Sequence, residues 1–336
     1  MKSVHLVIPD LFLPQGISTD ASADLHLPAL EKILARGRSE ILPASAMENL
    51  LCELFGFACT PDAPVAAISA AFDGLAEGYW LRADPVNMNL QRDRMVLSGV
   101  TVDEREAEEI CASLNAHFAG HGMEFFAPHP LRWYVRLETL PRIRTTPLSE
   151  VIGGDIRRAL PTGEDEARWH QLFNEIQMLL HTHPRNEARE ARGKDPVNSV
   201  WFWGGGNRKA ATSHNKYENV QSDEVLVEMF AAAADIPFAA LPGKWEEGGG
   251  DGSQLLVWNG LRAALQRGDL AAWRDSLRDF ESGYALPSWQ ALRSGKLEHL
   301  EVVVPGGEST RRVTLKRTDT WAFWRSARRL AEYSLV

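Results

Sequence analysis

The chain has 336 residues, 44% apolar and 24% charged, with a net charge of −9. That length suits one large α/β domain or two domains. The acidic balance argues against general nucleic-acid binding, and no apolar run reaches the ~20 residues a membrane helix needs.

The opening MKSVHLVIPD has only a short apolar run, cut by Pro9 and Asp10. It predicts a first strand rather than a signal peptide, which makes the cytoplasm the default location. Cys52, Cys59 and Cys111 support neither a disulfide framework nor a CxxC metal site. The eleven tryptophans are scattered, as packing residues would be.

Residues 4–8 predict a strand ending at Asp10. Ligand groups gather at the carboxyl ends of strands in open α/β sheets, so Asp10 is a candidate site residue; the plain alternative is a turn aspartate. Residues 27–36 have helical apolar spacing and stop at Gly37. Residues 43–57 predict a helix with Ser45 and Glu48 spaced as a capping box. A helix over 64–75 and a strand over 78–83 follow. Residues 102–118 form an amphipathic helix with an acidic first turn, and 124–128 and 133–137 read as strands. This set suggests a small α/β module, residues 86–145, inserted into a core formed by 1–85 and 146–336.

The next helix starts at Thr162, with Asp165 as its capping partner, and carries the stripe Trp169, Leu172, Phe173, Ile176, Leu179 and Leu180. His170, His181 and His183 invite a metal reading. On a helix His181 and His183 point apart, which favours dipole and carbonyl contacts instead. Residues 198–203 (NSVWFW) predict a buried strand running into Gly204-Gly205-Gly206. Those glycines suit either a backbone cradle for an anion or a tight turn. Beyond a polar loop, residues 222–234 and 269–282 predict helices. Residues 236–241, 254–258, 300–305 and 311–316 predict strands, and 320–332 a terminal amphipathic helix. The glycine-rich 244–253 lacks the Gly-Lys-Ser/Thr of a P-loop. Alternating strands and helices imply an α/β fold, a mainly parallel sheet flanked by helices.

The run HPRNEAREARGKDPVNSVWFWGGG at 183–206 carries His183, Pro184, Asn186, Arg189, Gly193, Lys194, Pro196, Asn198, Gly204 and Gly206 in a distinctive spacing. It resembles the signature of the archaeal-type cofactor-independent phosphoglycerate mutases of the alkaline-phosphatase superfamily. Weaker likeness at the first strand, at 145–155, 222–243, 268–273 and 301–305 spreads over most of the chain. The resemblance implies an alkaline-phosphatase-like core with an inserted cap domain, and places 183–206 as a core strand after the insert. It also implies phosphoryl transfer through two divalent metals and an activated serine, since a hydroxyl needs a metal or base to become a good nucleophile.

The chain departs from that chemistry. Asp10 is the one expected metal ligand retained. A gapless count puts Met47-Glu48-Asn49 at the serine position, with Ser45 two places off. Residues 257–262 (VWNGLR) stand where the metal-binding run should lie, and Gly306-Gly307 where an Asp-His pair is expected. One aspartate cannot hold two divalent ions.

The leading expectation is therefore a mutase-like protein without two-metal phosphoryl transfer and without a cofactor, serving a ligand-binding or regulatory role. Arg82, Arg94 and Arg132 would contact a small phosphorylated or carboxylate ligand. The plain alternative for each, and the favoured one for any single arginine, is a solvated surface residue. Asn198 joins them as a ligand-binding candidate and doubles as a fold-defining residue. An alternative is an active mutase or phosphatase, with Ser45 as nucleophile and Asp10, Glu48, His214 or Asp251 holding manganese or zinc. A third reading is an interaction scaffold, which requires tryptophans of the C-terminal half to be clustered and exposed.

Overall fold

The computed structural model describes residues 2–13, 15–22, 24–59, 62–206, 216–246 and 252–333. In chain order its strands are β1 (Ser3–Val7), β2 (Arg38–Pro43), β3 (Tyr79–Gln91), β4 (Arg94–Gly99), β5 (Met123–His129), β6 (Arg132–Leu137), β7 (Ile143–Arg144), β8 (Thr162–Gly163), β9 (Ser199–Gly206), β10 (Asn219–Ser222), β11 (Phe238–Ala240), β12 (Ser253–Val257), β13 (His299–Val304) and β14 (Ser309–Lys316). The chain divides into two compact units, residues 1–50 with 214–336, and residues 51–213.

The first unit holds a seven-stranded sheet in the order β11-β10-β12-β1-β13-β14-β2. Its first five strands are mutually parallel, and β14 reverses between β13 and β2. The short apolar strands β1, β12 and β13 suit a sheet covered on both faces. Leu6 pairs with Leu256 on one side and Val302 on the other, and all three are fully buried.

Helix Pro28–Arg36 buries Leu30, Ile33 and Leu34 in this core but follows Leu27, which cannot cap it. The orphan donors of its first turn are met from the far end of the chain: the Glu281 carboxylate accepts from Ala29 N at 2.6 Å and Leu30 N at 3.0 Å. Glu281 opens a π-helical turn, Glu281–Ala285, joining helix Leu270–Phe280 to helix Leu286–Ser294. The wide turn accommodates Pro287, which has no N–H to give to a regular ladder.

The second unit holds an antiparallel sheet in the order β4-β3-β6-β5, with β9 also paired to β3. Helix Glu166–His181 packs the predicted stripe onto β9, with the Trp169 and Phe173 rings 5.1 and 5.2 Å from Phe202. Helix Glu104–His117 starts in a complete capping box between Asp103 and Glu106.

Several expectations are corrected. The second compact unit spans 51–213 and contains the 86–145 stretch expected as an insert, with the 13-residue β3 gathering β4, β6 and β9 into one sheet. The 183–206 stretch therefore belongs to that antiparallel sheet and not to the parallel core. Strands β2 and β10 lie where a loop and a helix cap were expected, although Ser222 Oγ does accept from Glu224 N at 3.0 Å. The terminal amphipathic helix is absent: residues 317–321 form a 3-10 turn and only Leu330–Tyr333 is α-helical.

The three glycines are packing glycines. Gly204 has φ 67°, a Cβ on Gly205 would lie 2.6 Å from Leu81 Cδ2, and one on Gly206 would lie 2.6 Å from Pro64 Cβ and 2.8 Å from its Cα. They let β9 pack closely on the Leu81 side chain and on Pro64, as part of a strand rather than the tight turn expected. Gly206→Ala is expected to cost about 1–3 kcal/mol in urea unfolding. Gly243→Ala, with nothing within 4 Å of the new methyl, should stay within about 0.5 kcal/mol.

Candidate functional site

The residues that make the 183–206 run distinctive form an internal clasp of the second unit. His183 Nδ1 accepts from Arg185 N at 3.2 Å, capping helix Pro184–Glu190, and its Nε2 lies 2.9 Å from Ser113 Oγ. Burial holds the imidazole below its ordinary pKa, which keeps Nδ1 free to accept. Asn186 donates to the carbonyls of Leu180 and Val197 at 2.7 and 2.9 Å and accepts from Val197 N at 2.8 Å.

Arg189 is 1% exposed. It donates to Glu106 Oε2 at 2.7 Å and to the carbonyls of Thr101 and Asp195 at 2.9 Å. Asn198 accepts from Met88 N at 2.7 Å and donates to Met88 O at 2.9 Å, standing in for a strand partner just before β9 begins. Asn198, a ligand-binding candidate by sequence, thus completes the ladder beside Met88. His170 meets the Pro161 carbonyl at 2.9 Å, and among the described residues no group of three or more His, Cys, Asp or Glu side chains could hold a metal ion.

The candidate arginines are also committed. Arg82, 6% exposed, donates from Nε and Nη2 to Asp84 Oδ1 at 3.1 and 2.6 Å, and its guanidinium sits over the Tyr134 and Trp203 rings at 5.2 and 5.3 Å. Asp84 accepts in addition from Trp203 Nε1 at 2.8 Å. Arg132 grips Asp73 with both nitrogens, at 3.0 and 2.8 Å, and Tyr134 Oη donates to the same carboxylate at 2.6 Å.

Burial alone would raise the Asp73 pKa, but the Arg132 and Tyr134 hydrogen bonds outweigh it and hold the carboxyl below its ordinary value. Two arginines facing two aspartates leave no net charge for an incoming anion. Arg94 stands exposed at the tip of the β3–β4 hairpin, paired in register with Gln91 and remote in register from Arg82.

At the carboxyl edge of the first unit's sheet, the structure brings together residues that sequence reasoning separated. Asp10 follows β1 with φ 62°, Asp223 and Glu224 follow β10, and Asn259 and Arg262 follow β12. Arg262 Nε is 3.5 Å from Asp10 Oδ2, and its Nη1 is 4.0 Å from Glu224 Oε2. Asn259 donates from Nδ2 to Glu224 Oε2 at 2.8 Å and from its backbone N to Asp223 Oδ1 at 3.1 Å.

The resemblance implies two divalent ions here, and the donors among the described residues do not fit them. Each of the three carboxylates already faces a cation or an N–H, and a metal at Asp10 would have to displace the guanidinium. Ser45 follows β2, three strand spacings from β1 and so roughly 14 Å across the sheet. Its hydroxyl donates to the Ala46 carbonyl at 3.3 Å. His214 and Asp251 lie outside the described residues.

The second unit also contains a cavity of about 320 Å³ beside helix Glu166–His181. Phe118, Leu137, Trp169 and Leu172 form apolar wall, and the polar lining includes Arg142, Arg168 and Gln171 together with the carboxylates Asp165 and Glu175. Nothing in the sequence singled out Arg168. The usable signal was its place on the exposed flank of the apolar stripe.

The commitment of the arginines is testable. Arg82→Ala strands the buried Asp84 and should cost about 3 kcal/mol in urea unfolding. Arg94→Ala should stay within about 0.5 kcal/mol.

No family model matches the chain. A probable 2,3-bisphosphoglycerate-independent phosphoglycerate mutase of Geobacter sulfurreducens is 27% identical over 207 residues, covering 56% of this chain and 51% of that protein. A 2,3-bisphosphoglycerate-independent phosphoglycerate mutase of Methanosarcina mazei is 27% identical over 205 residues, covering 56% and 50%. The chain thus spans about half the length of the curated relatives it matches. Among solved structures, the PH0037 protein of Pyrococcus horikoshii aligns over 99% of this chain and 92% of its own, with a TM-score of 0.54 at 13% identity, which is a likeness of fold. No helix among the described residues is long and apolar enough to cross a membrane. By sequence, the chain is a divergent relative of the archaeal-type 2,3-bisphosphoglycerate-independent phosphoglycerate mutases.

Proposed function

We propose that this mutase relative binds a small phosphorylated or carboxylate acid and performs no two-metal phosphoryl transfer. The observation that carries this reading is Arg262, set between Asp10 and Glu224 at the carboxyl edge of the sheet. A guanidinium supplies positive charge but no vacant coordination position. It cannot bind a hydroxyl oxygen and lower its pKa, nor clamp both oxygens of an in-line displacement. Ser45 is left with the reactivity of an ordinary serine.

The binding role is assigned to the cavity of the second unit. Its volume of about 320 Å³ falls at the lower end of the roughly 300–1,000 Å³ typical of small-molecule sites. Arg168 lines it and has no ion pair among the described residues. It takes the anion-binding part first given to Arg82 and Arg132.

The test combines turnover and binding. With 2- or 3-phosphoglycerate and added manganese or zinc, neither mutase nor phosphatase activity should rise above the blank. Calorimetric titration with 3-phosphoglycerate should show binding that weakens about tenfold or more in Arg168→Ala and is unchanged in Arg94→Ala. Metal-dependent turnover that disappears in Ser45→Ala would contradict the reading.

A further inference from the structure

Nine of the eleven tryptophans are buried. The other two stand three residues apart: Trp321 is 67% exposed and Trp324 72%, with Phe323 between them at 78%. Their segment is held in place. Ala322 before Phe323, and Leu330 and Tyr333 beyond Trp324, are buried. Thr320 O accepts from Arg36 Nη1 at 2.6 Å, and Arg325 Nη1 donates to Arg36 O at 2.8 Å. The Phe323 and Trp324 rings meet edge to face at 5.4 Å. Three fixed, adjacent aromatics offered to water are an apolar patch of the kind that marks an interface.

The charge around the patch is opposite to that of the chain. Residues 316–329 contain five Lys and Arg against one Asp, a net of +4. Since the whole chain carries −9, the remaining residues carry −13. The guanidinium groups of Arg317 and Arg328 have no ion-pair partner among the described residues.

We propose that this aromatic and basic strip is the contact through which two copies of the chain pair, each strip resting on acidic surface of the other copy. The partner that always accompanies the strip is another copy of the chain, whose remaining residues carry a net −13, so the charges are complementary by composition. The three side chains expose roughly 450 Å² in all. That is more than half of the roughly 800 Å² per partner of a standard interface, and aromatic and arginine anchors are its usual hot spots. An anionic membrane fits less well. The strip is a five-residue 3-10 turn and an irregular loop, not the amphipathic helix that lies in a bilayer surface, and the acidic remainder of the chain would be repelled.

Analytical ultracentrifugation of the full chain tests this. The wild type should sediment at twice the chain mass at tens of micromolar. The triple variant Trp321→Ser, Phe323→Ser, Trp324→Ser should sediment as a monomer, its dissociation constant raised about 100-fold or more. Its melting temperature should hold, because these side chains are exposed. Arg317→Glu with Arg328→Glu should weaken pairing about tenfold in low salt, with the difference narrowing in 0.5 M NaCl as screening rises. A wild type that stays monomeric at 100 µM, or a triple variant that pairs as tightly as wild type, would overturn the proposal. So would a monomeric wild type that instead co-sediments with phosphatidylserine vesicles.

Discussion

Removing a guanidinium from water costs several kcal/mol unless carboxylates and carbonyls meet it in good geometry. This chain meets its internal arginines with its own groups. Arg189 has Glu106 and two carbonyls, Arg82 has Asp84 and two aromatic faces, and Arg132 has Asp73. Each pair joins distant parts of the chain or locks a strand face, so the antiparallel unit depends on them. Two of the three arginines that sequence alone offers as anion contacts, Arg82 and Arg132, thus already have internal partners, while Arg94 stays exposed.

The same economy governs the carboxyl edge of the parallel sheet. The fold delivers carboxylates to the ends of β1 and β10, as open α/β sheets deliver functional groups. Arg262, delivered by β12, answers them. The metals that the resemblance implies would supply positive charge together with coordination positions; in the proposed reading Arg262 supplies the charge alone. The clasp around Arg189 and Asn186 lies in the other unit and serves folding, so the most specific part of the resemblance can persist independently of the chemistry.

Much of the fold was legible because it is local. The apolar runs of β1 and β13, the stripe of helix Glu166–His181 and the acidic start of helix Glu104–His117 all follow from short-range patterning. What a strand pairs with is not local. The buried run of β9 reads the same in a parallel core as in the antiparallel sheet it joins. Ion pairing is equally non-local: Asp10 and Arg262 are 252 positions apart. One missed pairing was within reach, since Arg82 and Asp84 are two apart on a strand and must share a face. The terminal helix failed for a different reason. Residues 320–332 have the apolar content of an amphipathic helix, but Trp321, Phe323 and Trp324 face outward from a 3-10 turn and an irregular loop.

The proposed function rests on Arg262 facing Asp10 and Glu224 at the carboxyl edge of the parallel sheet. The most direct measurement is a calorimetric titration of manganese into wild type, Arg262→Ala, and Arg262→Ala with Asp10→Asn. The account predicts no binding to wild type at millimolar manganese, binding gained in the single variant as Asp10 and Glu224 lose their cation, and binding lost again in the double variant. Stoichiometric manganese on the wild type, or a single variant indistinguishable from it, would contradict the account.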